Sequence, residues 1–194
     1  EFEPASHWEG PYYGADWGFS NDPTALVRFW IDTIANEFYI EYEAHGHRVD
    51  LDDTGELFLN VPGAKTATIR GDNSRPETIS FMNKRGFNVI PCDKWTGCVE
   101  DGISYLRSFK RIVIHERCKH MQQEARLYKY KVDRLTEDPT TDIVDKHNHL
   151  WDAVRYGAGP MIKDRIQGFT EKQAEQMEHM EKTTLAPEMG VEEW

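Results

Sequence analysis

A chain of 194 residues suits one domain with an ordinary core, and 39% hydrophobic with 29% charged residues is the balance of a soluble globular protein. No apolar run approaches the roughly 20 residues of a membrane span, and Glu1, Glu3 and Glu9 stand where a secretion signal would be basic and apolar. The net charge of -11 argues against a protein that coats nucleic acid by bulk electrostatics, though not against an enzyme whose bound cations reverse the local field. Cys92, Cys98 and Cys118 cannot all pair within the chain, which points to a reducing interior.

Residues 1–11 lack periodicity and read as a linker end or a cloning remnant. Three strands follow, over Tyr12–Phe19, Thr24–Ile31 and Glu37–Ala44, with period-2 alternation in the second and third. Their short connections predict an antiparallel meander. A helix over Val49–Asn60 comes next, then a strand over Thr66–Gly71 ending at Asp72, and a helix over Arg75–Arg85 with Pro76 in its first turn. Further on, a strand is expected over Phe87–Pro91, a helix over Gly97–Phe109, a strand over Arg111–His115 and a helix over Cys118–Tyr128. A short strand near Tyr130–Val132, a loop over Thr136–Thr141 and a helix over Asp142–Tyr156 closed by Gly157 complete the domain. Residues 12–162 thus read as an α/β domain: a mixed sheet of three antiparallel and then parallel strands, with helices on its faces. Residues 163–194 read as a polar tail, partly helical.

Asp16 sits within an otherwise apolar strand, a conflict that β-propensity and burial both oppose and that tends to mark functional sites. Gly14 and Gly18 flank it and permit close approach of a ligand or a backbone; a turn or cap is the plainer account. Asp72 ends a strand on the usual ligand side of an α/β sheet, although Gly71-Asp72-Asn73-Ser74 is also good turn chemistry. On the predicted helix, Asp145, His149, Asp152 and Tyr156 share a polar stripe opposite Ile143, His147, Leu150, Trp151 and Val154. A solvated face explains that stripe equally well. The case for chemistry is the conjunction: two divalent ions about 4 Å apart need several shared carboxylate oxygens, and Mg²⁺ or Mn²⁺ accept them.

Three stretches carry a resemblance. They are Gly14-Ala15-Asp16-Trp17-Gly18-Phe19 with Asn21-Asp22-Pro23-Thr24-Ala25, then Ile69-Arg70-Gly71-Asp72-Asn73-Ser74-Arg75-Pro76-Glu77, and finally Asp145-Lys146-His147-Asn148-His149-Leu150-Trp151-Asp152-Ala153-Val154-Arg155-Tyr156. In this order they resemble the nuclease domain of tailed-phage terminase large subunits, nearest to headful-packaging terminases of short-tailed enterobacterial phages. The resemblance implies a ribonuclease H-like fold and an endonuclease that cuts concatemeric double-stranded viral DNA at the start and end of packaging. It places two Mg²⁺ or Mn²⁺ ions on Asp16, Asp72 and Asp152; from the residues themselves, His149 or Asp145 is expected to support those ligands, with Asp22 a weaker auxiliary. Implied partners are the DNA, an N-terminal ATPase motor of the same polypeptide, the portal protein and the small terminase subunit, in the host cytoplasm. No G-x-x-x-x-G-K-[ST] occurs, and Gly63-Ala64-Lys65-Thr66 lacks the glycine before lysine, so the chain reads as an excised C-terminal domain. Arg70, Arg75, Lys84, Arg85 and Lys94, near the second motif, are candidates for phosphate contact, or ordinary surface charges.

Other chemistry is disfavoured. The Cys92, Cys98, Cys118 and His120 spacings fit no ordinary zinc site, and His45 and His47 flank Gly46 in an expected loop. No G-x-S-x-G elbow is present. Two rivals remain: a junction resolvase or transposase-like nuclease, and a non-catalytic docking module on the same fold.

Overall fold

The computed structural model describes residues 3–18, 22–127, 130–132, 139–143 and 148–184. The expected meander forms from β1 (Glu9–Asp16), β2 (Pro23–Asp32) and β3 (Glu37–His47), antiparallel in sequence. β4 (Thr68–Gly71) then joins β1 in parallel, β5 (Asn88–Pro91) joins β4, and β6 (Arg111–Ile114) joins β3 at the other edge. The resulting order is β5-β4-β1-β2-β3-β6, with β1 well inside the sheet.

That position makes the two faces of β1 decisive. Tyr13, Ala15 and Trp17 point to one face, where they are buried with Leu26, Phe58 and Met82. Phe58 belongs to helix α1 (Thr54–Leu59) and Met82 to α2 (Pro76–Lys84). Burying each such side chain contributes about 1.5–3 kcal/mol before entropy is counted. Gly14 and Asp16 point to the opposite face, under helix α5 (His149–Gly157). Helices α3 (Cys98–Arg107) and α4 (Lys119–Leu127) complete the crossovers.

Three local expectations are corrected. β1 begins at Glu9, ahead of the expected Tyr12, because Trp8 stacks on Tyr39 at 3.9 Å and donates to Asp32 at 2.9 Å. The helix expected over Val49–Asn60 is a 3₁₀ turn, Leu51–Asp53, followed by the short α1; Asp52 and Asp53 are poor helix formers. The third correction bears on the site. Pro139–Ile143 is strand β8, paired antiparallel with β7 (Tyr130–Val132), and α5 starts only at His149. Thr140, Thr141 and Ile143 are β-branched and suit a pleated strand, with Pro139 tolerated as its first residue. Asp145, expected on the same helix stripe as Asp152, lies outside the described residues.

The chain divides into two compact units, Glu1–Gly159 and Pro160–Trp194. The polar stretch after residue 159 is a 26-residue helix, α6 (Gly159–Thr184). Among the described residues no helix is long and apolar enough to cross a membrane.

Candidate active site

Backbone register brings the first two acids together. Ala15 on β1 lies opposite Gly71 on β4, and the Asp72 amide donates to the Ala15 carbonyl at 3.0 Å. Asp16 and Asp72 therefore leave neighbouring parallel strands at one sheet edge, the C-terminal edge where α/β folds place ligands. Both are buried, at 8% exposure. The Trp17 indole donates to the Asp72 carbonyl at 2.8 Å and fixes the two strand ends further.

The third acid arrives from above. α5 lies so close on β1 that a β-carbon on Gly14 would stand 1.8 Å from the Ala153 carbonyl oxygen. This is the close backbone approach that the glycines beside Asp16 suggested; Gly18 meets the 22–24 backbone in the same way. The seat carries His149 and Asp152 over the sheet edge. Tyr156, one turn further along α5, registers the convergence: burial raises its hydroxyl pKa, and the fields of Asp16, Asp152 and Asp72 raise it further.

Each acid is held by a cationic or protonatable side chain. Asp16 Oδ2 lies 3.0 Å from His149 Nδ1, and that bond raises the imidazole pKa against the opposing effect of burial. His149 Nε2 lies 3.7 Å from Asp22, which is largely exposed. Asp72 pairs with Lys94 through Oδ1 and accepts from the Ser74 amide at 3.2 Å and from the Ser74 hydroxyl. Burial pushes the Asp72 carboxyl up, but the Lys94 and Ser74 bonds outweigh it and hold it below the ordinary value. Asp152 pairs with Arg155 and accepts from the Asn148 side chain at 3.4 Å. Burial pushes the Asp152 carboxyl up to about 6; Arg155 opposes this and the Asp16 charge adds to it.

This is a hard, oxygen-rich donor set, which suits Mg²⁺ or Mn²⁺. Among the described residues, no three His, Cys, Asp or Glu side chains already close on one point as metal ligands. The ammonium of Lys94 stands instead beside Asp72, within the field of Asp16 and 5.4 Å from the Tyr156 ring centre.

The other expected site residues are dispersed. Arg70 lies on β4 opposite Gly14. Arg75 lines a cleft of about 590 Å³ with Trp17, Thr24 and Arg48, the last not singled out from sequence. Lys84 and Arg85 lie at the far end of α2, about 13 Å of helix from Pro76, and Arg85 is paired with Asp52 at 2.8 Å. Ser74, Asn148 and Arg155 were missed although their spacing to Asp72 and Asp152 is local; Glu124, described below, has no local signal.

His45 and His47, expected in a loop, lie instead on β3, whose pairing with β2 runs on to His47, and His45 occupies the same cross-strand row as Asp16, through Ala25. Its ring stacks on His120 at 4.2 Å, and His47 stands at 5.1 Å. Burial, with the charges of His120, His47 and His149, pushes His45 down to about 4. Between pH 6.5 and 4 the unfolded chain therefore binds the proton that native His45 refuses, so stability falls as pH falls through that window. His45→Gln is expected to flatten this decline in the urea midpoint measured from pH 7 to 4.5; an unchanged slope would show that His45 does not contribute.

Comparison with known proteins agrees with this architecture. Residues 16–158 match the family model described as the terminase RNase H-like domain. The terminase large subunit of Bacillus phage SPP1 is 33% identical over 146 residues, covering 74% of this chain and 34% of that protein. The chain thus spans about a third of the length of that relative. The crystal structure of the large terminase nuclease domain from bacteriophage SPP1 with bound Mn superposes with a TM-score of 0.69 at 29% identity, covering 76% of this chain and 84% of that one. The P22 large terminase nuclease domain gives 0.62 at 23% identity, covering 82% and 84%, a likeness of fold. The chain belongs to the terminase RNase H-like domain family.

Proposed function

We propose that this domain is a Mg²⁺- or Mn²⁺-dependent endonuclease that cleaves concatemeric double-stranded viral DNA when genome packaging starts and ends. The observation that carries this reading is geometric: Asp16 and Asp72 leave neighbouring parallel strands at one sheet edge, and α5, seated on β1 at Gly14, brings Asp152 over it. The SPP1 relative solved with bound Mn supports the choice of ion. Asp16, Asp72 and Asp152 are the residues that would hold the ions. Such ions activate a water and stabilise the leaving 3′ oxygen.

The chain's own side chains do the positioning. His149 holds Asp16 Oδ2 from one side and faces Asp22 on the other. Ser74 fixes both oxygens of Asp72. Arg155 balances Asp152, and Tyr156 walls the site with a hydroxyl that stays protonated at neutral pH. Arg70, Arg75 and Lys94 are the basic residues near enough in the fold to meet the phosphate backbone. The reading extends to residues 12–162 as the nuclease unit and 163–194 as a tail. The ATPase motor of the same polypeptide, the portal and the small terminase subunit are the partners that would present DNA to a domain of net charge -11.

Supercoiled plasmid incubated with Mn²⁺ should be nicked and linearised, and EDTA should stop it. Linear and four-way-junction substrates should be cut at similar rates; strong preference for the junction would favour a resolvase. Metal binding without any cleavage would leave a docking module.

Lys94→Met gives a separate check without DNA. Removing an ammonium that competes for Asp72 should tighten Mn²⁺ binding several-fold in calorimetry, and weaker binding would show that Lys94 is not a competitor.

A further inference from the structure

A nine-residue helix leaves its first amides without intrahelical acceptors, and α5 has the additional problem that these amides are buried. Leu150 is 0% exposed and Trp151 7%, so water does not serve them. Asn148 stands at the cap position and is a residue type that ordinarily accepts from the second or third amide. Here its side chain makes no cap bond and donates to Asp152 Oδ2 instead. The acceptor comes from another helix. Glu124 of α4, only 6% exposed, takes the Leu150 amide at 3.0 Å and the Trp151 amide at 3.4 Å, both on Oε2.

We propose that Glu124 is a positioning residue of the nuclease: by capping α5 from α4 it fixes the helical turn that carries His149 and Asp152 over Asp16. The two capped residues lie between His149, bonded to Asp16, and Asp152. Loss of the acceptor frays that turn. A buried carboxylate is a costly way to fill space that Leu or Met would fill more cheaply. Its fit here is to the positive end of the α5 dipole, which an apolar residue does not answer. Burial pushes this carboxyl up to about 7, while the two amides and the nearby His149 pull it back.

The inference rests on the reading of Asp152 as a residue that holds a metal ion, and the test separates the two. Hydrogen exchange at the Leu150 and Trp151 amides and Mn²⁺ affinity by calorimetry, without DNA, are measured on the full chain. Glu124→Ala should speed exchange at both amides and weaken Mn²⁺ binding about 10- to 100-fold, the usual effect of losing a residue that orients a ligand. Glu124→Gln keeps an acceptor oxygen and should stay within about threefold of the parent. Phe38→Leu, in the core near the far end of β3, serves as a control that lowers the melting temperature without moving Mn²⁺ affinity. If Glu124→Ala does not fold, Glu124→Asp, one methylene shorter, carries the same expectation. Faster exchange with unchanged Mn²⁺ affinity, or an equal loss in Phe38→Leu, would overturn the positioning role. A parent protein that binds no Mn²⁺ would overturn the nuclease reading and this role with it.

Discussion

Asp16→Asn is expected to lower Mn²⁺-dependent plasmid nicking by roughly a thousandfold or more while leaving the fold intact. Asp16 is the acid whose charge reaches furthest through the site: it bonds His149, helps to raise Asp152 and Tyr156, and helps to hold the Lys94 proton. Asparagine keeps its shape and removes its charge. The Asp152 carboxyl then keeps the rise due to burial but loses the part due to the Asp16 charge, and His149 loses the carboxylate charge that helped to raise it. The melting temperature in EDTA should be unchanged or slightly higher, because a crowded negative charge has gone. Asp72→Asn would differ in this respect, since it leaves the partly buried Lys94 ammonium without its partner. Measuring nicking, Mn²⁺ affinity and melting temperature on both variants separates loss of a ligand from loss of structure. Full nicking by Asp16→Asn would refute the assignment.

What could be read from the sequence was whatever has a local signature. Alternation in Thr24–Ile31 and Glu37–Ala44 announces two strands, and an Asp between Gly14 and Gly18 in an apolar strand announces a conflict with burial. Pro76 and the Asp72 turn mark a strand end and a helix start. The family resemblance then supplied the convergence, which spacing alone does not give. The errors fall where a partner distant in sequence decides. Helical periodicity ran smoothly back from Tyr156 through Ile143, so α5 was expected to begin at Asp142; pairing with β7 makes that segment a strand instead. Nothing near Lys94 in sequence announces that it pairs with Asp72. Glu124 could not be read at all: its two amides lie 26 and 27 residues away, on a helix whose start is expected at Asp142, so that neither amide looks unpaired. Charge pairs and caps between elements belong to tertiary structure, and no window along the chain contains them.

The seat of α5 on β1 yields the second large effect, Gly14→Ala. The new β-carbon would meet the Ala153 oxygen at 1.8 Å and the Gly157 nitrogen at 2.6 Å, both backbone atoms that no rotamer change can move. Gly157 is pinned from its own side, where a β-carbon would strike Phe29 at 2.7 Å and the Gly14 nitrogen at 3.0 Å. The helix must therefore lift off the sheet. Overpacking of this kind costs about 3 kcal/mol, or a melting temperature lower by about 6–12 °C for a chain of this size. Lifting α5 also withdraws Asp152 and His149 from Asp16, and a displacement of about 1 Å costs on the order of a hundredfold in rate. Nicking should consequently fall about a hundredfold even at temperatures where Gly14→Ala remains folded. Gly168→Ala is the contrast: its β-carbon meets nothing within 4 Å in α6, so helix propensity should make it neutral or stabilising by about 0.5–1 kcal/mol. Should Gly14→Ala melt and cut like the parent, α5 does not rest on β1, and the mechanism that gathers the three acids is lost.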